Sequence, residues 1–194
     1  MTGSHDARER LVAAAEEMLA RSGPRTVSMD AAAAAAGAGK MSAYRHFADK
    51  DDLLAAALGH HNRRHIRWLV GADRAGAGDP VRRILSVFDR LESAAGGESF
   101  RGCPFVDAAL AAPGPDRRAV TIAARHKQEL IEELTSLVVQ AGRPEPGELA
   151  AAVALVIDGA TVQAALAPDP ATRQRIVRRG RRVAEALLAP AGQP

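Results

Sequence analysis

The chain has 194 residues, a formal net charge of +3 and one cysteine, which is long enough for one large domain, or a small one joined to a larger, without disulfide support. Cys103 has no partner for an internal bridge, and no basic end followed by an apolar run and a small-residue cleavage site opens the chain. A disulfide-stapled secreted scaffold is therefore excluded and a cytoplasmic protein is expected. Charged residues interrupt every hydrophobic segment, so no membrane span is expected, and the sequence pI near 9.6 suits a polyanionic partner without arguing for one. Aromatic residues make up only 3%, and the prevailing Ala, Leu, Arg and Glu lose little side-chain freedom on a helix, so an all-α fold is expected.

Asp6, with Glu9 three residues on, predicts the cap of a first helix whose apolar stripe is Leu11, Ala15 and Leu19, widened by Val12 and Met18. Gly23-Pro24 ends it, and Thr26 falls in the connector. Ser28 caps a short helix from Met29 to Ala36 that stops at Gly37, and a second short helix runs from about Lys40 to Phe47. A glycine-containing turn between two short helices, with a supporting helix ahead, is the layout of a helix-turn-helix. Asp49 caps a long helix from Lys50 to about Val70, with Asp51 and Asp52 at its positive end.

Residues 71–79, rich in Gly and Ala, read as a loop; Pro80 then opens a helix carrying Ile84, Leu85, Val87, Phe88 and Leu91 that Gly96-Gly97 breaks. A short apolar segment from Pro104 to Ala112 is followed by Pro113-Gly-Pro115 and a long helix to about Ala141. Two last helices are expected, from about Glu148 to Leu166 and from Ala171 to Leu188.

Within the helix-turn-helix, Lys40, Arg45 and His46 share the second short helix with no acid between Gly37 and Phe47, so a basic surface is expected there. A helix of that width fits the major groove, where Lys and Arg reach guanine acceptors and a thioether can meet a thymine methyl. Lys40, Met41, Ser42 and Arg45 are accordingly expected at base edges, while Ala43 and Phe47, four apart, face the supporting helices.

The run Thr26-Val-Ser28-Met, then Ala36-Gly-Ala-Gly-Lys-Met-Ser-Ala-Tyr-Arg-His-Phe47, then Asp49-Lys-Asp-Asp-Leu-Leu54 resembles the N-terminal signature of TetR-type repressors. Phe100-Arg-Gly-Cys-Pro-Phe-Val-Asp-Ala-Ala109 is similar to a segment of one group of them. The resemblance implies a three-helix DNA-binding domain over residues 1–49 joined to a helical bundle over 50–194, about nine helices in all. It implies phosphate contacts from Thr26, Tyr44, His46 and Lys50, with Ser28 in the same DNA-binding set. The chain departs from the pattern at Ala32, Gly39 and Ala43, where a larger aliphatic, a serine cap and a leucine are usual, which implies a thin core around the motif.

The resemblance also implies a ligand-responsive regulator, most simply a repressor, that binds palindromic operator DNA as a homodimer and is released by a small-molecule effector. Its pocket would draw on Trp68, Phe88, Cys103 and Phe105 for walls and on His126, Asp158 and Gln163 for polar groups. Of these, Trp68, Phe88 and Phe105 are core candidates first, with Ile122, Leu130, Val153 and Val156. The partner protomer would pack on Val153, Val156, Ile157, Ala160 and Ala164 of one terminal helix and on Ile176, Val183 and Leu187 of the other.

Other readings of single residues are weaker. His60, His61 and His65 crowd one stretch, but Arg63, Arg64 and Arg67 oppose a cation there, so neither a metal nor any other cofactor is expected. Cys103, His126 and Asp107 have the residue types of a nucleophile, base and orienter without the glycine-bracketed turn, so no enzyme is expected. An enzyme or a redox sensor using Cys103, and an architectural DNA-binding protein with no inducer, remain the alternatives.

Overall fold

A computed structural model describes residues 2–70, 78–111 and 118–190, which are helical with short connections. The helices are α1 (Thr2–Ser22), α2 (Met29–Ala35), α3 (Lys40–His46), α4 (Lys50–Val70), α5 (Pro80–Ala95), α6 (Pro104–Ala111), α7 (Arg118–Gln140), α8 (Pro146–Ala165) and α9 (Pro170–Leu187), with a 3-10 turn at Pro24–Thr26. Among the described residues there is no strand, and the all-α expectation holds. Residues 71–77 of the loop expected over 71–79, and the Pro113-Gly-Pro115 punctuation, lie outside the described residues.

Helix α1 begins at Thr2 rather than behind an Asp6 cap. Asp6 lies inside the helix and pairs with Arg10 one turn on, a surface contact that stabilises a helix by only about 0.3–0.5 kcal/mol. Other ends follow local chemistry. Asp79 Oδ1 accepts from the Val81 amide at 3.1 Å, Asp169 Oδ1 accepts from the Thr172 amide at 2.8 Å, and prolines occupy the first turns of α5, α8 and α9.

Two compact units emerge, Met1–Arg64 with Cys103–His126, and His65–Gly102 with Lys127–Pro194. The core of the first gathers Leu11, Ala15 and Leu19 of α1, Met29 and Ala32 of α2, Ala43, Phe47, Leu53 and Leu58, and from later in the chain Phe105, Ala108, Ala119 and Ala123. The core of the second is built by Ile84, Val87, Phe88 and Leu91 of α5, Leu130, Leu134 and Leu137 of α7, Val153 and Ile157 of α8, and Val177 and Ala184 of α9. Burying each Leu, Ile or Phe contributes about 1.5–3 kcal/mol.

Within the second unit, α9 crosses α8 at a glycine. A Cβ built on Gly180 would lie 2.9 Å from Ala160 Cβ and 3.2 Å from Phe88 Cε1, so the two backbones approach as closely as they do because nothing projects there. Helix α8 is long and apolar enough, by length and composition, to cross a membrane, though only 39% of its apolar window is buried in the protomer. Glu148 and Asp158 fall within it, in keeping with the sequence expectation of charges in every apolar stretch.

The faces of α8 also correct the expected partner surface. Val153, Ile157, Ala160 and Ala164 are buried within the chain's own core. The apolar side chains α8 leaves to solvent are Leu155 (74% exposed), Val162 and Leu166, half a helical turn away. On α9, Val183 and Leu187 are exposed, while Ile176 and, on α8, Val156 are half-buried against the core.

Candidate nucleic-acid interface

The Ser28 Oγ accepts from the Ala31 amide at 3.2 Å and caps α2. At the other end Gly37 takes φ +60°. Its amide donates to Ala34 O at 3.2 Å while the Ala38 amide donates to Ala33 O at 2.9 Å, the paired bonds of a Schellman turn, which needs the left-handed conformation that glycine accepts freely. Helix α3 follows at Lys40, with Gly39 at its N-cap and no side chain bonding its free amides.

Only Ala43 and Phe47 anchor this segment, with 0% and 2% exposure. Ala32 of α2 is equally buried, so two of the small residues that depart from the family pattern, Ala32 and Ala43, still lie in the core and bring α2 and α3 close, while Gly39 is exposed. Arg8 of α1 sits over the Phe47 ring, 5.2 Å from its centroid, a cation–π contact that contributes about 0.5–1 kcal/mol at an exposed site.

The outward face carries Lys40, Met41, Tyr44 and Arg45, all exposed, with Met41 at 76% and Tyr44 at 47%. Ser42 and His46 are half-buried. A large thioether and a phenol left in water on a seven-residue helix cost the fold apolar burial and return nothing to it, as expected of a contact surface.

One acid enters this surface that the local sequence did not reveal. Asp30 of α2 reaches Lys40 Nζ at 2.9 Å. The hydrogen bond and the charge of Asp30 raise the Lys40 ammonium above the ordinary lysine range, so Lys40 stays protonated but its charge is met within the motif. The expectation of a basic face without acids is corrected at this position.

Thr26 is exposed in the 3-10 turn, its Oγ1 donating to Gly23 O at 2.9 Å. Lys50 is half-buried at the start of α4. Asp49 Oδ1 accepts from the Asp52 amide at 2.7 Å and Asp52 Oδ2 accepts from the Ala48 amide at 3.1 Å, a reciprocal cap that fixes where α4 begins. Tyr44, Asp49 and Lys50 line, with Ser28, Met29, Asp30 and Ala48, an open groove of about 300 Å³.

The residues expected around an effector divide between the units. Cys103, Phe105 and His126 belong to the first, and Trp68, Phe88, Asp158 and Gln163 to the second. Phe105 is buried and stacked on His126 at 3.8 Å between centroids, and His126 Nδ1 lies 2.6 Å from Asn62 Oδ1. This contact with Asn62 helps to orient the imidazole. Cys103 is half-buried. Phe88 is buried in the core, Trp68 is 40% exposed rather than a core residue, Gln163 is exposed, and Asp158 pairs with Lys127.

The histidine stretch has an acid partner after all, distant in sequence. Glu16 of α1 is buried, with His60 Nδ1 at 2.9 Å and His61 Nδ1 at 2.8 Å on its two oxygens and Arg64 on the second. Burial pushes the Glu16 carboxyl up, but the bonds from His61 and His60 and the charge of Arg64 outweigh it and hold the group below the ordinary glutamate value. His65 turns elsewhere, its ring 5.6 Å from that of Trp68. Among the described residues no three His, Cys, Asp or Glu side chains are placed to hold a metal.

The family model described as bacterial regulatory proteins, tetR family, matches residues 11–57. No curated protein sequence matches the chain. A solved structure assigned as a TetR-type transcriptional regulator from Streptomyces avermitilis is 31% identical over 90% of this chain and 97% of its own, with a TM-score of 0.70. A TetR-family transcriptional regulator from Streptomyces coelicolor is 27% identical over 94% of this chain and 88% of its own, with a TM-score of 0.76. The reduced form of NemR from E. coli, 19% identical over 96% of this chain and all (100%) of its own, shares the fold at a TM-score of 0.78. Carrying the family's helix-turn-helix and matching one such regulator over nearly its whole length, this chain belongs to the TetR family of transcriptional regulators.

Proposed function

We propose that the chain is a ligand-responsive repressor that binds a palindromic operator as a two-fold dimer and is released by a small-molecule effector. The observation that carries this reading is the outward face of α3, where Met41, Tyr44 and Arg45 stand in solvent on a helix pinned by Ala43 and Phe47. Lys40, Met41, Ser42 and Arg45 then meet base edges, and Thr26, Ser28, Tyr44, His46 and Lys50 fix the register on the phosphates. Residues 1–49 carry the DNA-binding role and 50–194 the effector and dimer roles, a division by role rather than by compactness.

Helix α8 supports the dimer. A helix apolar on both faces must be covered on both, and the core covers only one. Leu155, Val162 and Leu166, with Val183 and Leu187 of α9, form the second surface, which a two-fold copy matches by self-complementarity. A regulator acting on DNA works in the cytoplasm and needs neither a cofactor nor catalysis.

Selection from a random duplex library tests the reading. The expected winner is a palindrome whose half-sites lie about one helical turn apart, 34–36 Å, bound by a species that sediments as a dimer. Enrichment of no sequence, or of an isolated half-site bound by a monomer, refutes it.

A further inference from the structure

Arg118, the first residue of α7, reaches back 69 positions to the end of the helix-turn-helix. Its Nη2 donates to both oxygens of Asp49 at 3.1 Å, and its Nη1 lies 3.8 Å from Asp52 Oδ1. All three side chains are open to solvent, at 40%, 53% and 42%, so as a stabilising contact the cluster is weak. Its position matters more. Asp49 lines the same groove as Tyr44 and Lys50, and both carboxylates stand where the chain leaves the surface assigned to DNA.

We propose that Arg118 is a positioning residue for DNA binding, offsetting part of the negative charge that Asp49 and Asp52 place at the edge of the DNA-facing surface. The proposal rests on that interface reading. Without Arg118, two uncompensated carboxylates face a phosphate backbone within the range over which charges act, about 8–10 Å at ordinary salt. The two acids cannot simply be absent, because their oxygens hold the amides of Asp52 and Ala48 and start α4 where Lys50 needs it. The capping bond from Asp52 and then the bond from Arg118 lower the Asp49 carboxyl below its ordinary value, so it is charged whenever the protein meets DNA. Arg118 eases a conflict between capping a helix and presenting a cationic face.

The test uses the full chain and a mixed-sequence duplex of about 30 base pairs, since the electrostatic part of binding needs no operator. Arg118→Ala is expected to bind about three- to tenfold more weakly at low salt, with the deficit shrinking as salt rises, and Arg118→Lys to recover most of it. The deciding variants are Asp49→Asn and Asp52→Asn, because asparagine still caps a helix. Each restores binding to Arg118→Ala, and each alone binds tighter than the parent. A brace without an electrostatic role gives the opposite sign, with Asp49→Asn alone weakening binding and rescuing nothing.

Lys50→Ala is the control. A parent that does not bind the duplex, or a Lys50→Ala protein that binds like the parent, overturns the interface reading and this proposal with it. Weakened Lys50→Ala with unaffected Arg118→Ala, or loss in Arg118→Ala that neither asparagine variant relieves, overturns only the role of Arg118.

Discussion

Replacing Glu16 by Gln keeps the side chain's shape and removes the charge on which three donors converge. Glutamine can accept through one oxygen only, so the charge-assisted bonds from His60, His61 and Arg64 cannot all be kept, and its own N–H groups find an acceptor there only if a histidine switches tautomer. A buried charge-assisted bond contributes about 1.5–3 kcal/mol. Arg64 and His60 are 65% and 54% exposed while His61 is 22% exposed, so the His61 bond counts nearly in full and the others at surface value, up to about 1 kcal/mol each. The expected loss is about 2–3 kcal/mol, a fall in Tm of roughly 4–12 °C for a chain of this size.

The pH dependence carries the sign. Because the folded carboxyl is held below its ordinary value of 4.5, the stabilisation from Glu16 is present above that value and is lost as pH falls through the folded one. Thermal unfolding followed by circular dichroism, for parent and Glu16→Gln, should show the full difference at pH 7 and a narrowing one below about pH 4.5. Equal melting at pH 7, or a gap that widens in acid, would refute the reasoning.

Gly180→Ala should destabilise by about 1–2 kcal/mol, because its methyl meets Ala160 and Phe88, whereas Gly59→Ala, with nothing within 4 Å, should stabilise by up to about 1 kcal/mol; chemical denaturation compares them, and like signs would contradict the packing argument. Leu155→Asp with Val183→Asp should yield a folded monomer by analytical ultracentrifugation and circular dichroism, and a dimer that survives both changes removes the α8 and α9 interface. Arg45→Ala should relax discrimination at one position of each half-site while Lys50→Ala weakens all duplexes about equally and flattens the salt dependence; titrations on matched and singly changed operators separate the two, and parent-like binding by both variants overturns the assignment.

What was legible in the sequence is what local chemistry decides. Ser28, Gly37, Asp49 and the Asp79-Pro80 pair mark helix ends because each acts on amides or carbonyls within a few residues. Asp169-Pro170 does the same and starts α9 one residue before the expected Ala171. Asp6 misled because an acid followed by Arg one turn on suits a helix interior as well as its start. The pairings of Lys40 with Asp30, of Glu16 with His60, His61 and Arg64, and of Arg118 with Asp49 join different helices, and no spacing rule reaches across a fold. Helix α8 defeated its reading for another reason. With alanines and aliphatics all round, its periodicity does not say which stripe faces inward, and the fact that α9 meets it through Gly180 at Ala160 is a property of packing alone. A helical projection asking which apolar stripe holds the largest side chains would have drawn attention to Leu155, Val162 and Leu166.

The economy of α3 bears on how such a protein changes over generations. The core of the fold reserves only Ala43 and Phe47 from this segment, so a substitution at Met41, Tyr44 or Arg45 removes little buried surface and falls within the range of about 0.5 kcal/mol usual for surface positions. The residues that set binding preference are therefore nearly uncoupled from those that keep the chain folded. Random mutation can sample new preferences at this helix without first crossing an unfolded intermediate, and the scaffold can be retained while its target drifts.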